Sequence, residues 1–237
     1  MFNTALYCQV NVKILNKIPK KLTSPWPLLS KKEFRITIAS CKNISTPGPD
    51  KLWSHFKIIL KDDECLGIII SITNACIELG YWPSHFKRSM TIIISKPNKI
   101  SYNSPKSFRP IVLLNTVGKL IEKVIGKRLQ FTMAANDFIH PSQLSGLKFK
   151  SMTDMGIALT YIIWISWVKN LSTSTLIFDI AQFFLLLNYR LLTLIMKKAG
   201  FDNYVISFFA NYLIDRKTNY FWNNFMSPIF NVNIGVS

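Results

Sequence analysis

The apolar positions Leu120, Ile121, Val124, Ile125, Leu129 and Met133 recur at spacings of three and four. That period predicts a long amphipathic helix over Val117–Ala135, with Glu122, Lys123, Lys127 and Arg128 off the apolar stripe. The same period predicts helices over Lys31–Ser40, Leu66–Leu79, Asn188–Ala199 and Asn203–Asp215. Gly80 with Pro83 stops one of them, and Asn188 and Gly200 bracket another. Thr153–Trp167 is mostly apolar and reads as a further helix. Short β-branched or apolar runs at Met90–Ser95 and Thr175–Ile180 read as strands, the second of them buried. Thr218–Ile234 alternates around Asn223-Asn224 and reads as a hairpin.

Between these elements lie turn signals. Ser45-Thr46-Pro47-Gly48-Pro49-Asp50 is a dense turn cluster, and Asp50 is placed to cap a following helix with Leu52, Phe56, Ile59 and Leu60 on one face. Lys96-Pro97-Asn98-Lys99 makes a basic turn, and Asn103–Pro110 is a loop rich in Pro and Ser. Residues 1–30 carry Pro19, Pro25 and Pro27 without a period and read as an irregular segment with no signal-peptide pattern. Helices, strand, helices, strand, helices and hairpin in that order make a mixed α/β (α+β) pattern.

Composition narrows the classes. The 237 residues are 49% hydrophobic and 17% charged, which excludes a disordered chain and leaves room for a real core. Lys and Arg number 29 against 12 Asp and Glu, a net charge of +17 that calls for a polyanionic partner. Cys8, Cys41, Cys65 and Cys76 form no C-x-x-C pair, and His55, His85 and His140 are scattered, so neither zinc nor a disulfide framework is expected. Ile157–Val168 is too short to span a bilayer, and Asp179 interrupts Leu171–Tyr189. Both stretches read as buried core elements, with no membrane partner.

Two features bear on chemistry. Asp179 lies at the end of an apolar run, where a carboxylate is costly unless it is paired, caps a helix or holds a metal ion. From Lys87 to Arg128 there are ten basic residues (Lys87, Arg88, Lys96, Lys99, Lys106, Arg109, Lys119, Lys123, Lys127 and Arg128) and one acid, Glu122. Such one-sided charge suits phosphate binding and equally suits a solvated basic face.

The order of motifs resembles reverse transcriptases of non-LTR, LINE-like retrotransposons. The 45–50 cluster is similar to their APGPD motif, and Ile77–Lys87 (IELGYWPSHFK) to their LGYFPSxWK stretch. Ile94–Lys99 followed by Ser107–Thr116 resembles IPKPGK…YRPISLLNT, and Gly118–Leu129 resembles GKLLEKIIxxRL. Phe178–Phe184 resembles the first catalytic motif, LDIxxAF, and Gly235-Val236-Ser237 the start of GVPQGS. The likeness covers about residues 31–237.

The resemblance implies a right-hand polymerase with a fingers-like region at 31–150 and an incomplete palm at 151–237, with the thumb absent. It implies copying of an RNA template from a DNA primer, using nucleotide triphosphates and Mg²⁺ held by palm carboxylates. Asp179 matches the first metal-binding and catalytic Asp. Ile180 would offer its backbone to the triphosphate, and Phe184 stands where the family keeps a ring that excludes the ribose 2′-hydroxyl. Lys96 and Arg109 match fingers residues that neutralise the triphosphate. The second catalytic motif, Tyr/Phe-x-Asp-Asp, would lie beyond Ser237, so these residues are expected to form an incompetent fragment by themselves. Ser95, Leu185–Leu187 and Tyr189 depart from the family pattern. The alternative is a basic nucleic-acid-binding relic without catalysis. No obligate protein partner is evident. The family favours the nucleus, although no convincing import signal is present.

Overall fold

The computed structural model describes residues 26–43, 45–53, 55–140, 142–144, 146, 150–179 and 187–232. They form a mixed α/β structure of seven α-helices and one five-stranded sheet. The helices are α1 (Lys31–Ala39), α2 (Phe56–Ile59), α3 (Asp63–Glu78), α4 (Thr116–Ala135), α5 (Met152–Val168), α6 (Tyr189–Lys198) and α7 (Asn203–Leu213). The strands are β1 (Arg88–Ser95), β2 (Phe108–Leu114), β3 (Arg216–Trp222), β4 (Phe225–Met226) and β5 (Phe230–Val232). The chain divides into two compact units, Met1–Val124 with Gln182–Ser237, and Ile125–Ala181.

Helix termini follow local chemistry. Ser30 and Glu33 form a capping box that opens α1. The Asp62 carboxylate accepts the backbone N–H groups of Glu64 and Cys65, opening α3. Asn188 accepts the Leu191 N–H at 3.1 Å and starts α6. Gly80 at φ +61° and Gly200 at φ +82° occupy left-handed positions just beyond α3 and α6, where glycine is unstrained.

Sheet order is β2-β1-β3-β4, with β5 also pairing β3. β1 is antiparallel to β2 and parallel to β3. β2 takes its first three residues, Phe108–Pro110, from the stretch expected to be a loop. Pro110 pairs with Ile93 in the register, and proline is tolerated there because β2 is an edge strand. The hairpin forms as expected. Asn223 (φ 45°) and Asn224 (φ 64°) make its two-residue turn. Pro228 has no N–H to donate, and the second arm breaks there into β4 and β5.

Trp82, 1% exposed, centres the core of the larger unit. Its ring meets Phe86, Phe208 and Tyr212 at centroid distances of 5.4, 5.5 and 5.3 Å. Its backbone N–H donates to Asn211 Oδ1 at 2.8 Å. Leu66, Ile70, Cys76 and Ile77 on α3, Leu120, Ile121 and Val124 on α4, and Val205 and Phe208 on α7 are buried.

Three further expectations change. Asp50 does not cap α2, which is a single turn in which Ile59 is exposed. Its carboxylate reaches the first residue of α4 instead. It accepts the Thr116 backbone N–H at 2.5 Å and the Thr116 hydroxyl at 3.1 Å. Next, α5 is not a core element, because none of its residues is buried. It is apolar on every side and needs neighbours on every side; the described residues of its own unit supply no enclosing layer. Finally, residues 171–179 form no strand. A lone apolar segment gains nothing from extended geometry without a ladder partner, and Leu176, Ile177 and Phe178 are 77%, 86% and 83% exposed.

Candidate functional site

The β1–β2 hairpin sets out the cations. Ile94 stands opposite Arg109 and Ser95 opposite Phe108. Lys96 extends the ladder one step, donating its N–H to Ser107 O at 2.8 Å. Directly opposed residues share a face, and faces alternate along a strand. Arg109 and the Lys96 position therefore fall on one face of the hairpin's distal end. The Lys96 ammonium is tied back, donating to Lys106 O at 2.7 Å. Arg109 is exposed. The structure thus brings these two predicted residues to one end of one hairpin.

The remaining predicted residues lie elsewhere. Asp179 is exposed, at the end of the irregular 171–179 segment in the smaller unit. Ile180 and Phe184 lie outside the described residues. No group of three or more His, Cys, Asp or Glu side chains that could hold a metal ion stands together among the described residues. The described residues alone do not fit a two-metal centre.

The basic window from Lys87 to Arg128 is not one solvated face. Lys87 is buried, which lowers its pKa, while nearby Asp215 partly opposes that shift. The Lys119 ammonium lies 4.3 Å from the centre of the Trp53 ring. Lys123 donates to Ser40 O at 3.2 Å. These cations hold the structure around α4. Of the hairpin's exposed cations, Lys99, Lys106 and Arg109 gather at the 96–109 end, and Arg88 stands at the start of β1.

Beside α4 sits a half-buried polar pair. The Tyr212 hydroxyl donates to Glu122 Oε1 at 2.8 Å. Burial holds the Glu122 carboxyl above its ordinary pKa, while the Tyr212 bond and the charges of Arg216 and Lys119 pull it down. Burial, followed by the Glu122 charge, pushes the Tyr212 hydroxyl up. The Arg216 guanidinium lies 5.6 Å from the Tyr212 ring. This cluster joins α4, α7 and β3.

The turn cluster at 45–50 acts at the same junction. A Cβ on Gly48 would lie 1.9 Å from Leu114 O, so only glycine lets the chain pass this close to the end of β2. Two residues later Asp50 holds the start of α4. The motif therefore has a mechanical role: it clamps the passage from β2 to α4.

Sequence reasoning missed one surface feature. Tyr102, Phe108 and Trp222 form a row of rings beside an open groove at the strand ends. Ring centroids are 5.9 Å apart for Tyr102–Phe108 and 6.1 Å for Phe108–Trp222. The only signal in sequence was an aromatic at each boundary of two strands. Their meeting depends on β1 lying between β2 and β3.

No protein-family model matches the chain. Individual relatives do. The RNA-directed DNA polymerase from mobile element jockey of Drosophila melanogaster is 31% identical over 111 residues, which is 47% of this chain and 12% of that protein. The jockey polymerase of Drosophila funebris is 29% identical over 111 residues, again 47% and 12%. The retrovirus-related Pol polyprotein from type-1 retrotransposable element R1 of Bradysia coprophila is 27% identical over 103 residues, 44% of this chain and 10% of that one. The match thus spans about half of this chain and about an eighth of these relatives' own length.

Proposed function

With a reverse transcriptase-like region of the non-LTR retrotransposon type in the chain, we propose that it is part of an RNA-directed DNA polymerase. The observation that carries this reading is the 31% identity over 111 residues to the jockey polymerase. In this reading residues 31–150 are fingers-like and 151–237 are part of a palm. RNA template, DNA primer and nucleotide triphosphates are the partners. Lys96 and Arg109 neutralise the triphosphate from one end of the β1–β2 hairpin, and Arg109 grips phosphate oxygens with two donors. Asp179 would supply one carboxylate toward Mg²⁺, the ion that activates the attacking oxygen in this chemistry. Ile180 and Phe184 would border the nucleotide. Asp179 alone does not make the site, so the 237 residues as such are expected to bind but not to extend a primer.

Long-read cDNA across the 3′ end of the reading frame, followed by primer extension, tests this. Coding sequence that continues into a Tyr/Phe-x-Asp-Asp box is the expected result. The continued protein should then extend a primer with Mg²⁺. Asp179→Ala should abolish extension and leave RNA binding intact, and Arg109→Ala should mainly raise KM for the nucleotide. Normal extension by Asp179→Ala would overturn the assignment of the carboxylate.

A second reading is a basic nucleic-acid-binding protein without catalysis, favoured by the net charge of +17. A stop confirmed at Ser237, with salt-sensitive RNA binding, would select it.

A further inference from the structure

We propose that Tyr102, Phe108 and Trp222 form a base-stacking platform for a single, unpaired nucleic-acid strand, on the sheet face opposite Lys96 and Arg109. The proposal rests on the nucleic-acid part of the reading above and not on polymerisation.

The argument starts from the register. Phe108 faces Ser95, and Thr91 pairs with Tyr220. Alternation along the strands then puts Phe108, Tyr220 and Trp222 on one face and Ile94, Arg109 and Phe221 on the other. The platform is therefore separate from the proposed triphosphate contacts. Tyr102 and Trp222 are 44% and 51% exposed, although large rings are normally drawn into the core. Interplanar angles of 60° and 78° mean that no ring of the row is stacked flat on another. The exposed parts of Tyr102 and Trp222 are the surface left for a planar ligand.

The rings are held firmly. The Tyr102 hydroxyl donates to Lys96 O at 2.8 Å, and the Ser107 hydroxyl donates to Ser101 O at 2.7 Å. Phe108 and Trp222 stand on paired strands, and the Asn223-Asn224 turn follows Trp222 directly. Rigid rings lose little entropy on binding.

Charge selects the occupant. Neither 88–121 nor 216–232, the stretches that build this end of the sheet, contains an Asp or Glu. Lys99 and Lys106 are exposed on the same connection as Tyr102. A second copy of a +17 chain would be repelled here. A phosphodiester strand is attracted, and an unpaired one also offers base faces to the rings. A duplex hides those faces.

The test uses the full 237-residue chain and a fluorescently labelled single-stranded pyrimidine RNA. Trp222→Ala and Tyr102→Ala should each weaken binding about 5- to 100-fold. Neither should change the slope of log affinity against log salt. Trp222→Phe should keep most of the affinity, which separates a loss of stacking from a loss of folding. Lys99→Gln with Lys106→Gln should instead flatten the slope, by about 0.7 for each phosphate no longer neutralised. A perfect duplex should bind without sensitivity to Trp222. Wild-type affinity in folded Trp222→Ala and Tyr102→Ala would overturn the platform while leaving electrostatic binding in place. A change from dimer to monomer in those variants, with RNA binding unaltered, would make the face a contact between copies and overturn it too. If the wild-type chain binds no oligonucleotide at all, the platform and the nucleic-acid reading fail together.

Discussion

Helices α3 and α5 are both well capped and both rich in apolar residues, yet they meet opposite fates. α3 buries Leu66, Ile70, Thr73, Cys76 and Ile77 and leaves Ile68 and Ile72 outside. α5 buries nothing, and Tyr161, Trp164 and Trp167 stand in solvent. Capping decides that a helix forms; it does not decide that the helix packs. α3 presents one apolar face to α1 and α7, whereas α5 is apolar all round and offers no distinct face. Apolar content is therefore a poor guide to burial in this molecule, and the arrangement of that content is a better one.

Tryptophan truncations give the sharpest test of this contrast. Trp82→Ala should cost about 3–5 kcal/mol in urea-unfolding stability, because its fully buried ring touches three others. Trp164→Ala on α5 should change it by less than about 0.5 kcal/mol, as expected for an exposed position. Equal losses would show that α5 is packed in solution and would erase the comparison.

The β2–α4 junction supplies the next two effects. Gly48→Ala should destabilise by about 1–3 kcal/mol, since the added methyl must displace the Leu114 carbonyl. Asp50→Ala should cost about 1–2 kcal/mol by removing the acceptor for Thr116 at the start of α4. Thermal unfolding reads both. If Asp50→Ala is silent, the clamp is not energetic.

Glu122 gives a smaller, pH-dependent effect. Its carboxyl in the folded chain titrates above its ordinary value of 4.5. The folded state then holds the proton more tightly than the unfolded one, so stability is fully present below pH 4.5 and falls as pH rises through the folded value. Glu122→Gln keeps an acceptor for Tyr212 and should flatten that decline in denaturation curves measured upward from pH 4.5. An unchanged slope would place the titration elsewhere. The smallest effect belongs to Arg35→Ala. Arg35 pairs with Asp63 at the surface, and its loss should shift stability by no more than about 0.5 kcal/mol at moderate salt.

Much of the secondary structure was legible because its causes are local. The Asn188 cap, the glycines after α3 and α6 and the Asn223-Asn224 turn act within a few residues of themselves. β2 was not legible, because Pro110 argues against a strand until the strand is known to be an edge. Of the candidate residues, Lys96 and Arg109 stand at one end of the hairpin because of the ladder step at Ser107, a pairing that no local pattern announces.

The sequence by itself determined where most of the longer helices start and stop, the strongly basic balance of the chain and the order of motifs that resembles non-LTR reverse transcriptases. Only the tertiary structure decided that Asp50 serves α4 and not its own neighbour, that Lys87 is buried while Lys99 is exposed, and that Tyr102, Phe108 and Trp222 meet. Capping and turns depend on groups two or three residues apart, whereas these contacts join residues separated by as many as 114 positions, from Phe108 to Trp222, and exist only once β1 lies between β2 and β3.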